Sequence, residues 1–504
     1  MSTEQWICRL TGAASGLLLA IPHFWPLAAP LQLVALLPVL YLSARPRTTR
    51  RQILIAGGYM GILYVMPQAV LLRMPAWITA VLLLELTVLM TVFAYCCRRF
   101  LAGSTVAGAL AVGASLVVLD WVNITAVPIW STAQSIVRPW SRYPSLISFV
   151  CVTGLTGIAF LLGTLQGLFI NIMGCPKRRH CSICAAVLIV LVFGAANLIV
   201  RYPNTAGEIK VAAIGWTDGG SGDSADTSSP AGFDSLYAGP IAKAAEQGAR
   251  LIVSPELGFY CGAGTREKWL ERFRGVASRH NIFLAIGYFN GAHQENRLLF
   301  IGPDGQLLGE YAKTHLTPFE DFRKGDGEPV IINIDGIRVG AMICQDDNFT
   351  DISRRYGREG VSMVVVPTLD WSTVKGAHLQ SSIHRAIESR YAVVRAGING
   401  ISAIISPIGD VLDKMDHLKK GPGIIIADVP LYSGRTLFSI AGHWPVLPSV
   451  VFLLAYLTKG FYTARLRGKL DTERSGEDIE QGHKPPLEQN SEVRLAGPEG
   501  LCLV

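Results

Sequence analysis

The sequence predicts an α/β domain inserted between membrane-spanning α-helices, about seven before it and one after it. Half of the 504 residues are hydrophobic and 16% are charged, which is too apolar for an ordinary soluble protein. The apolar residues concentrate before residue 200, in runs near the ~20 residues that cross a bilayer. Between residues 208 and 430, short β-rich runs alternate with helical patterns, as in sheets covered by helices.

Eight apolar runs are predicted to cross the membrane. They are residues 9–24, 28–44, 52–72, 76–96, 101–120, 147–172, 182–200 and 441–458. The first span is predicted to stay in the mature protein rather than to be a cleaved signal peptide, because further spans follow it and no small-residue cleavage site is evident. We expect four parts: a polytopic membrane helix domain (1–200), an outer domain (201–440), a last membrane helix (441–462) and a highly charged, disordered tail (463–504).

The basic residues indicate how these helices are oriented. Clusters of arginine and lysine follow the second, fourth, sixth and eighth spans, at residues 45–51, 98–99, 177–179 and 459–469. Because basic loops stay in the cytoplasm, this alternation predicts cytoplasmic termini and an outer location for residues 201–440. Membrane flanks also account for much of the net charge of +7, so the charge does not indicate a nucleic-acid partner.

Strand and helix patterns alternate within the outer domain. Strands are predicted at 209–215, 250–254, 282–288, 330–334, 337–343, 362–367, 392–397 and 401–406, and helices at 234–247, 264–279, 350–358 and 376–391. Asp304 and Gly305, between two apolar runs, indicate a hairpin. Residues 217–232 are rich in Gly, Ser and Asp and are predicted to form a flexible loop, either a surface insertion or a mobile lid.

Three side chains suited to nucleophilic catalysis follow predicted strands. Cys344 ends the apolar run 339–343, Glu256 follows the strand at 250–254, and Lys313 ends the second strand of the hairpin. Because catalytic groups in α/β proteins gather beyond the carboxyl ends of strands, we expect these three to converge at the edge of one sheet. A thiol with a base and a cation beside it can act as a nucleophile.

The order Glu–Lys–Cys and its surroundings resemble the nitrilase, or carbon–nitrogen hydrolase, superfamily. The motifs that carry the resemblance are Pro-Glu after a strand, GPDGQLLGEYAK at 302–313 and GAMIC at 340–344. The membrane helices on both sides make the chain similar to the apolipoprotein N-acyltransferases, as do WSTAQS at 130–135, KTHLTPF at 313–319 and residues 384–402. The resemblance implies a nitrilase-like αββα sandwich in the outer domain.

The resemblance also implies a role for each site residue. Glu256 is then the general base, Lys313 stabilises the oxyanion, and Cys344 is the nucleophile that becomes acylated. By register, Asp321 corresponds to a second acidic residue of the family. Where the family commonly has Tyr-Glu after its cysteine and Gly-Glu after Pro-Phe, this chain has different residues, which we expect to support the site or bind substrate: Glu320, Asp321, Gln345 and Asp346.

The implied reaction is acyl transfer between lipids. A phospholipid acyl chain passes to Cys344 as a thioester and then to the N-terminal amine of a diacylglyceryl-cysteine lipoprotein. The resemblance further implies a multi-pass protein of a bacterial inner membrane with its catalytic domain on the periplasmic side, and we expect a monomer. Two alternatives stay open: hydrolysis of an amide or nitrile by the same three residues, and a sensor or scaffold that binds a ligand without catalysis.

No metal or cofactor is expected. His378 and His384 share a helical pattern without a third ligand, so they do not predict a zinc site. Cys261 either lines the site or fills the core, and it can pair with Cys344 in an oxidising compartment, although nothing in the sequence requires this. Four residues are expected to form either a buried ion network behind the site or ion pairs at the surface: Arg385, Glu388, Arg390 and Arg395.

Overall fold

A computed structural model of the chain describes residues 3–202, 205–217, 230–262, 264–432, 434–460 and 462. The chain forms two units, Met1–Leu453 and Leu454–Val504, and the membrane bundle and outer domain described below belong to the first. Most of the flexible loop predicted at 217–232, namely residues 218–229, and the predicted disordered tail, residues 463–504, lie outside the described residues.

Seven helical segments are long and apolar enough to cross a membrane within the described part of the chain. In chain order the helices are α1 (Thr3–Phe24), α2 (Leu37–Ala44), α3 (Arg50–Leu71), α4 (Ala76–Leu101), α5 (Val106–Thr125), the short α6 (Val150–Thr153), α7 (Leu155–Gly174) and α8 (Arg179–Arg201). The second span is Pro26–Ala44, which opens with a 3₁₀ segment and ends in α2. The seven predicted spans before the outer domain are confirmed.

The bounds of some spans differ from the prediction for local reasons. α5 begins at Val106, because the hydroxyl of Thr105 accepts a hydrogen bond from the Gly108 amide at 3.0 Å and caps the helix. The sixth span begins at Leu155, because Gly154 adopts φ +65° and separates it from α6. After the outer domain, the helix Val446–Gly460 is shorter than the seven spans and begins later than predicted.

The loops after the second, fourth and sixth spans, where basic residues cluster, lie together. Arg98, at the end of α4, donates a hydrogen bond to the carbonyl of Thr48, which precedes α3. Arg178, which precedes α8, donates through Nη1 to the carbonyl of Gly103 at 2.9 Å. These contacts place three basic loops at one end of the helix bundle.

The loops after the third and fifth spans contact the outer domain instead. The hydroxyl of Thr373 donates to the carbonyl of Leu72, directly after α3, at 3.1 Å. The hydroxyl of Thr132, in the segment after α5, donates to the carbonyl of Asn348 at 2.6 Å. The outer domain therefore lies against the end of the bundle opposite the basic loops.

The outer domain contains two β-sheets that pack face to face. Their strands are β1 (Thr205–Gly215), β2 (Leu251–Val253), β3 (Tyr260–Cys261), β4 (Phe283–Asn290), β5 (Glu295–Ile301), β6 (Leu307–Ala312), β7 (Ile331–Ile334), β8 (Ile337–Ala341), β9 (Met363–Leu369), β10 (Ala392–Ile398), β11 (Ile401–Ile405), β12 (Val411–Asp416) and β13 (Gly423–Tyr432). The first sheet has the order β13-β1-β2-β4-β5-β6, with β3 beside β4, and the second has the order β12-β11-β10-β9-β8-β7.

Helices cover the outer faces of both sheets. They are α9 (Pro230–Phe233), α10 (Gly239–Glu246), α11 (Arg266–His280), α12 (Thr350–Arg358), α13 (Lys375–Ser389), α14 (His417–Lys420) and α15 (Leu437–Ala441). Against the first sheet, Tyr237, Phe259 and Phe273 form part of a buried aromatic cluster with ring centroids 5.1–6.4 Å apart. Such rings bury large apolar areas and dominate core stability. The predicted αββα sandwich is confirmed.

Three strands were not predicted: the two-residue β3 and the longer β12 and β13. β13 pairs antiparallel with β1 along most of its length and contains Pro430, which lacks an amide donor. β12 carries Asp413, Lys414 and Asp416 in six residues. Both lie at sheet edges, where proline and charge are tolerated because one side of the strand has no ladder partner. The residue pattern of an edge strand therefore resembles that of a loop.

Candidate active site

Glu256, Lys313 and Cys344 follow strands of two different sheets. Glu256 follows β2 and Lys313 follows β6 in the first sheet, whereas Cys344 follows β8 in the second. The expectation that all three leave the edge of one sheet was wrong. The two sheets face each other, so the strand ends meet across the sandwich: the Leu369 amide, at the end of β9, donates to Oε2 of Glu256 at 2.6 Å.

Glu256 and Lys313 form a buried ion pair. Lys313 Nζ lies 2.7 Å from Glu256 Oε1, which also accepts a hydrogen bond from Asn296 Nδ2 at 2.7 Å. Burial lowers the pKa of Lys313, but the negative charge of Glu256, with that of Glu320, outweighs burial and raises that pKa overall. Lys313 therefore keeps its positive charge across the physiological pH range.

Glu320 provides the second carboxylate at Lys313. Its Oε1 lies 2.6 Å from Lys313 Nζ, and its Oε2 accepts a hydrogen bond from the Thr317 amide at 2.8 Å. Burial raises the pKa of Glu320, and the charge of Lys313 opposes that rise. Asp321 is exposed, although its position in the motif matches the second acidic residue of the family. The structure thus brings Glu320, rather than Asp321, to the lysine.

Cys344 lies in a strained turn and is almost inaccessible. Its φ of +46° falls in the left-handed region, which is uncommon for residues other than glycine and recurs at functional sites. The side chain is 4% exposed, and Sγ lies 4.0 Å from the carbonyl oxygen of Leu369. Burial, followed by the charge of Glu256, raises the pKa of the thiol, while Lys313 opposes the rise. The resting thiol is therefore protonated, and a nucleophilic attack requires a base.

Gln345 and Asp346 hold the cysteine turn in place. Asp346 is fully buried and accepts hydrogen bonds from the His315 amide at 2.7 Å and from the Tyr311 hydroxyl at 2.8 Å, which joins the turn to the segment around Lys313. Gln345 donates through Nε2 to the carbonyl of Ile129 at 2.7 Å. The turn is thus attached both to the hairpin and to the segment that follows α5.

Asp370 and His378 lie next to the thiol. One carboxylate oxygen of Asp370, one ring nitrogen of His378 and Cys344 Sγ all lie within 4.8 Å of one another. In the described part of the chain, these three residues are a candidate metal-binding group. Asp370 already binds His378 Nδ1 through Oδ1 at 2.7 Å and Arg395 Nη2 through Oδ2 at 2.7 Å. Each oxygen of Asp370 already accepts a hydrogen bond, one of them from a guanidinium, which disfavours a second cation, so the arrangement does not fit a metal ion.

Asp370 was missed by sequence reasoning, although it carries the same signal as Glu256. It directly follows β9, at the carboxyl end of a buried strand. Burial raises its pKa, but the charge of Arg395 and the hydrogen bonds from His378 and Arg395 outweigh burial and hold the pKa well below the usual range. Asp370 is therefore a buried carboxylate that remains ionised.

The four residues for which either a buried ion network or surface ion pairs were expected are all buried, and three of them form ion pairs. Arg395 pairs with Asp370, and Arg385 Nη2 lies 2.6 Å from Glu388 Oε2 with neither side chain exposed. Arg390 binds main-chain carbonyls instead, those of Val200 and Pro407.

Cys261 lies outside the site. It is buried in the hydrophobic core against the first sheet, and both it and Cys344 are free thiols. Burial raises its pKa to about 12. Cys261 therefore fills the core, and the considered disulfide with Cys344 is absent.

An apolar cavity of about 230 Å³ lies between the membrane helices and this site. α3 and α4 contribute Tyr64, Val65, Gln68, Leu82 and Leu86, and the outer domain contributes Phe319, Trp371, Val374, Ala377 and His378. Phe319 and Trp371 meet edge to face, with ring centroids 6.2 Å apart. Because His378 both lines the cavity and lies beside Cys344, the cavity reaches the immediate surroundings of the thiol.

Comparison with known proteins finds one matching family, several similar proteins and several similar structures. Residues 230–437 match the family described as Carbon-nitrogen hydrolase. The chain is 25% identical over 517 residues to apolipoprotein N-acyltransferase of Geobacter metallireducens, covering 90% of this chain and 96% of that protein. It is 29% identical over 180 residues to apolipoprotein N-acyltransferase of Rickettsia bellii, covering 31% and 36%. An amidase structure from Nesterenkonia sp. is 24% identical, covering 45% of this chain and 92% of that one, with a TM-score of 0.39.

Proposed function

We propose that this chain, which belongs to the nitrilase or carbon–nitrogen hydrolase superfamily and resembles the apolipoprotein N-acyltransferases, transfers a phospholipid acyl chain to the N-terminal amine of diacylglyceryl-cysteine lipoproteins. The observation that carries the proposal is the apolar cavity, because it joins membrane helices α3 and α4 to the surroundings of Cys344. A hydrolase of soluble amides has no use for such a cavity, whereas a lipid donor needs a place for its acyl chain.

The first half-reaction is acylation of Cys344. Glu256 accepts the thiol proton while Sγ attacks the ester carbonyl of the phospholipid, and Lys313 stabilises the oxyanion that develops on the carbonyl oxygen. The carbon–oxygen bond then breaks, and the leaving lysophospholipid alkoxide takes the proton from Glu256. Protonation of Glu256 removes one of the two negative charges beside Lys313, so the ammonium becomes more available to the oxyanion.

The second half-reaction is transfer to the amine. The N-terminal amine of the diacylglyceryl-cysteine attacks the thioester carbonyl, the carbon–sulfur bond breaks, and the thiol is regenerated. Both substrates are lipids, so a bilayer brings them to the same protein face. The reaction consumes no cofactor.

A second candidate is hydrolysis of a carbon–nitrogen bond by the same three residues. The match of residues 230–437 to carbon–nitrogen hydrolases favours it, since water can replace the amine as the acceptor. The two reactions share the thioester at Cys344 and differ in the acyl donor, which is a phospholipid ester in one and a carbon–nitrogen compound in the other, and in the acceptor that discharges the thioester.

Intact mass measurement of the full chain in phospholipid vesicles tests the proposal. We expect an added mass equal to one acyl group, stable in buffer and lost when a diacylated lipopeptide with a free N-terminus is added. Discharge in water at the same rate as with lipopeptide would instead favour the hydrolase. Failure of the wild-type protein to form any adduct with phospholipid would exclude the acyltransferase.

The same proposal places the outer domain on the periplasmic side of a bacterial inner membrane. Its support is that the basic loops lie at one end of the helix bundle and the outer domain at the other. Single cysteines introduced at Asp304 and at Arg47 in intact cells should react with an impermeant maleimide only at the first position. Labelling of the second position alone would reverse the orientation.

A further inference from the structure

Transfer to an amine requires a proton acceptor that thioester formation does not. An α-amine has a pKa near ~7.7–8.0 and is largely protonated at neutral pH. It must lose one proton before it can attack, and the nitrogen loses a second as the amide forms. The Cys344 sulfur takes one of these protons when the carbon–sulfur bond breaks, and a base must take the other. Glu256 serves the thiol in the acylation step and is not among the residues that line the cavity, whereas His378 is.

The hydrogen bonds around His378 leave a lone pair on its Nε2. Gln345 Nε2 donates to the Ile129 carbonyl, so its Oε1 faces Asn348 and accepts from Asn348 Nδ2 at 3.0 Å. Asn348 Nδ2 therefore lies as a donor 3.4 Å from His378 Nε2. The ring proton is then on Nδ1, which donates to Asp370 Oδ1 at 2.7 Å.

Asp370 and its neighbours stabilise the imidazolium that would form. Asp370 Oδ2 is fixed by Arg395 at 2.7 Å, so the carboxylate orients the ring as the acidic member of a catalytic triad does. The charged or titratable groups around His378 include Asp370, Asp347, Arg395 and Cys344, and Arg138 lines the same cavity. The ionised carboxylate of Asp370, which accepts the hydrogen bond from Nδ1, stabilises the charge of a protonated ring.

We propose that His378 is the base that accepts the first proton of the acceptor amine in the transfer step, a role that rests on the function proposed above. The ammonium gives one proton to Nε2, the nitrogen lone pair attacks the thioester carbonyl, and the carbon–sulfur bond breaks. The remaining excess N–H proton passes to the Cys344 sulfur, and His378 returns its proton to water. The ring lies in the wall of the apolar cavity and within 4.8 Å of Cys344 Sγ, where an amine must arrive.

His378→Gln tests the proposal, because glutamine keeps an amide of similar reach but is not basic. The two half-reactions are measured separately in phospholipid vesicles, acylation by intact mass and transfer by adding lipopeptide to the preformed thioester. We expect transfer to slow by on the order of 10²-fold, the usual size of general-base contributions, and acylation to slow much less, because His378 only lines the cavity in that step.

An acceptor that is already neutral distinguishes a base from a positioning residue. Hydroxylamine has a low pKa and reaches the site unprotonated, so it needs no base for the first proton. With hydroxylamine, the transfer rate of His378→Gln should therefore be only a few-fold below that of the wild type. If His378 only shaped the site, the substitution would slow transfer to both acceptors equally. His384→Gln, the same substitution on the same helix at a ring that contacts the Arg138 carbonyl, is the matched control and should leave both steps unchanged.

The inference is overturned if His378→Gln transfers to lipopeptide at the wild-type rate, if it loses acylation as severely as transfer, or if hydroxylamine shows the same defect as lipopeptide. Absence of a thioester in the wild-type protein is a different outcome. It would overturn the proposed function first and this inference with it.

Discussion

Lys313 Nζ lies 2.7 Å from Glu256 Oε1, and both side chains are 1% exposed. A second carboxylate, that of Glu320, lies 2.6 Å from the same nitrogen. One buried and one partly buried carboxylate thus share one positive charge. In this state the carboxylates balance the charge of Lys313 and the thiol of Cys344 is protonated, so the resting site holds its reactive groups in their least reactive forms. When the thiol proton passes to Glu256, Cys344 becomes a thiolate and Lys313 loses one of the two negative charges beside it.

Lys313→Ala should affect activity and stability together. We expect acylation of Cys344 to slow by ~10²–10³-fold, because the oxyanion loses its charged partner. The free energy of unfolding should fall by about 3–5 kcal/mol, since two buried carboxylates lose their counter-ion. Acylation is followed by intact mass and stability by thermal unfolding in the same vesicles.

The double variant Lys313→Ala/Glu320→Gln separates these two effects. It should recover part of the lost stability by removing one unpaired charge, while activity stays lost. Recovery of acylation in the double variant would contradict the role of Lys313 in stabilising the oxyanion.

Glu320→Gln and Asp321→Asn form a matched pair of neighbouring substitutions. Glu320 contacts Lys313 and the Thr317 amide, whereas Asp321 is exposed. We expect Glu320→Gln to reduce acylation at least tenfold, because the lysine loses a charged positioning partner, and Asp321→Asn to change it less than twofold. The initial rate of thioester formation measures both. The opposite ranking would show that the acidic role belongs to Asp321.

Filling the apolar cavity should discriminate between donors by chain length. Ala377→Phe adds a ring to a residue of the cavity wall, so acylation from a long-chain phospholipid should fall at least tenfold. A short-chain phospholipid should be affected much less. Gly376→Phe is the control, because Gly376 is exposed on the same helix and a side chain there meets nothing within 4 Å. Equal loss with both donors would mean that the cavity does not hold the acyl chain.

The stability of the outer domain should fall as pH rises through the titration of His315. Burial lowers the pKa of His315, but its hydrogen bonds to Asp346 and Asp351 outweigh burial and raise that pKa to about 9, above the ordinary 6.5. The charged ring thus stabilises the fold fully below pH 6.5, and this contribution is lost progressively up to about pH 9. His315→Asn should flatten the pH dependence of the unfolding temperature in this window. An unchanged slope would contradict the ion pair.

The membrane spans were predictable because hydrophobic length alone specifies them, and their exact starts were not, because they depend on caps such as Thr105 and on the left-handed Gly154. The inner strands were predictable from their apolar runs. The edge strand β12 was not, because its charged residues have the pattern of a loop.

In the site, the sequence placed Glu256, Lys313 and Cys344 beyond strand ends but did not show that two sheets supply them. Position in the motif also did not show which of Glu320 and Asp321 contacts Lys313. The direction of each side chain is decided by a turn in which the Thr317 amide binds Glu320. Tertiary contacts decide such choices, and a residue pattern does not contain them.

Peptide mapping of the acylated protein tests the central claim most directly. The wild-type protein and two variants, Cys344→Ala and Cys261→Ala, are incubated with phospholipid vesicles, digested and analysed by tandem mass spectrometry. We predict an acyl group on the peptide that contains Cys344, no acyl group anywhere in Cys344→Ala, and wild-type acylation in Cys261→Ala, whose thiol is buried in the core. An acyl group that persists in Cys344→Ala, or that maps to another residue in the wild type, would contradict the account.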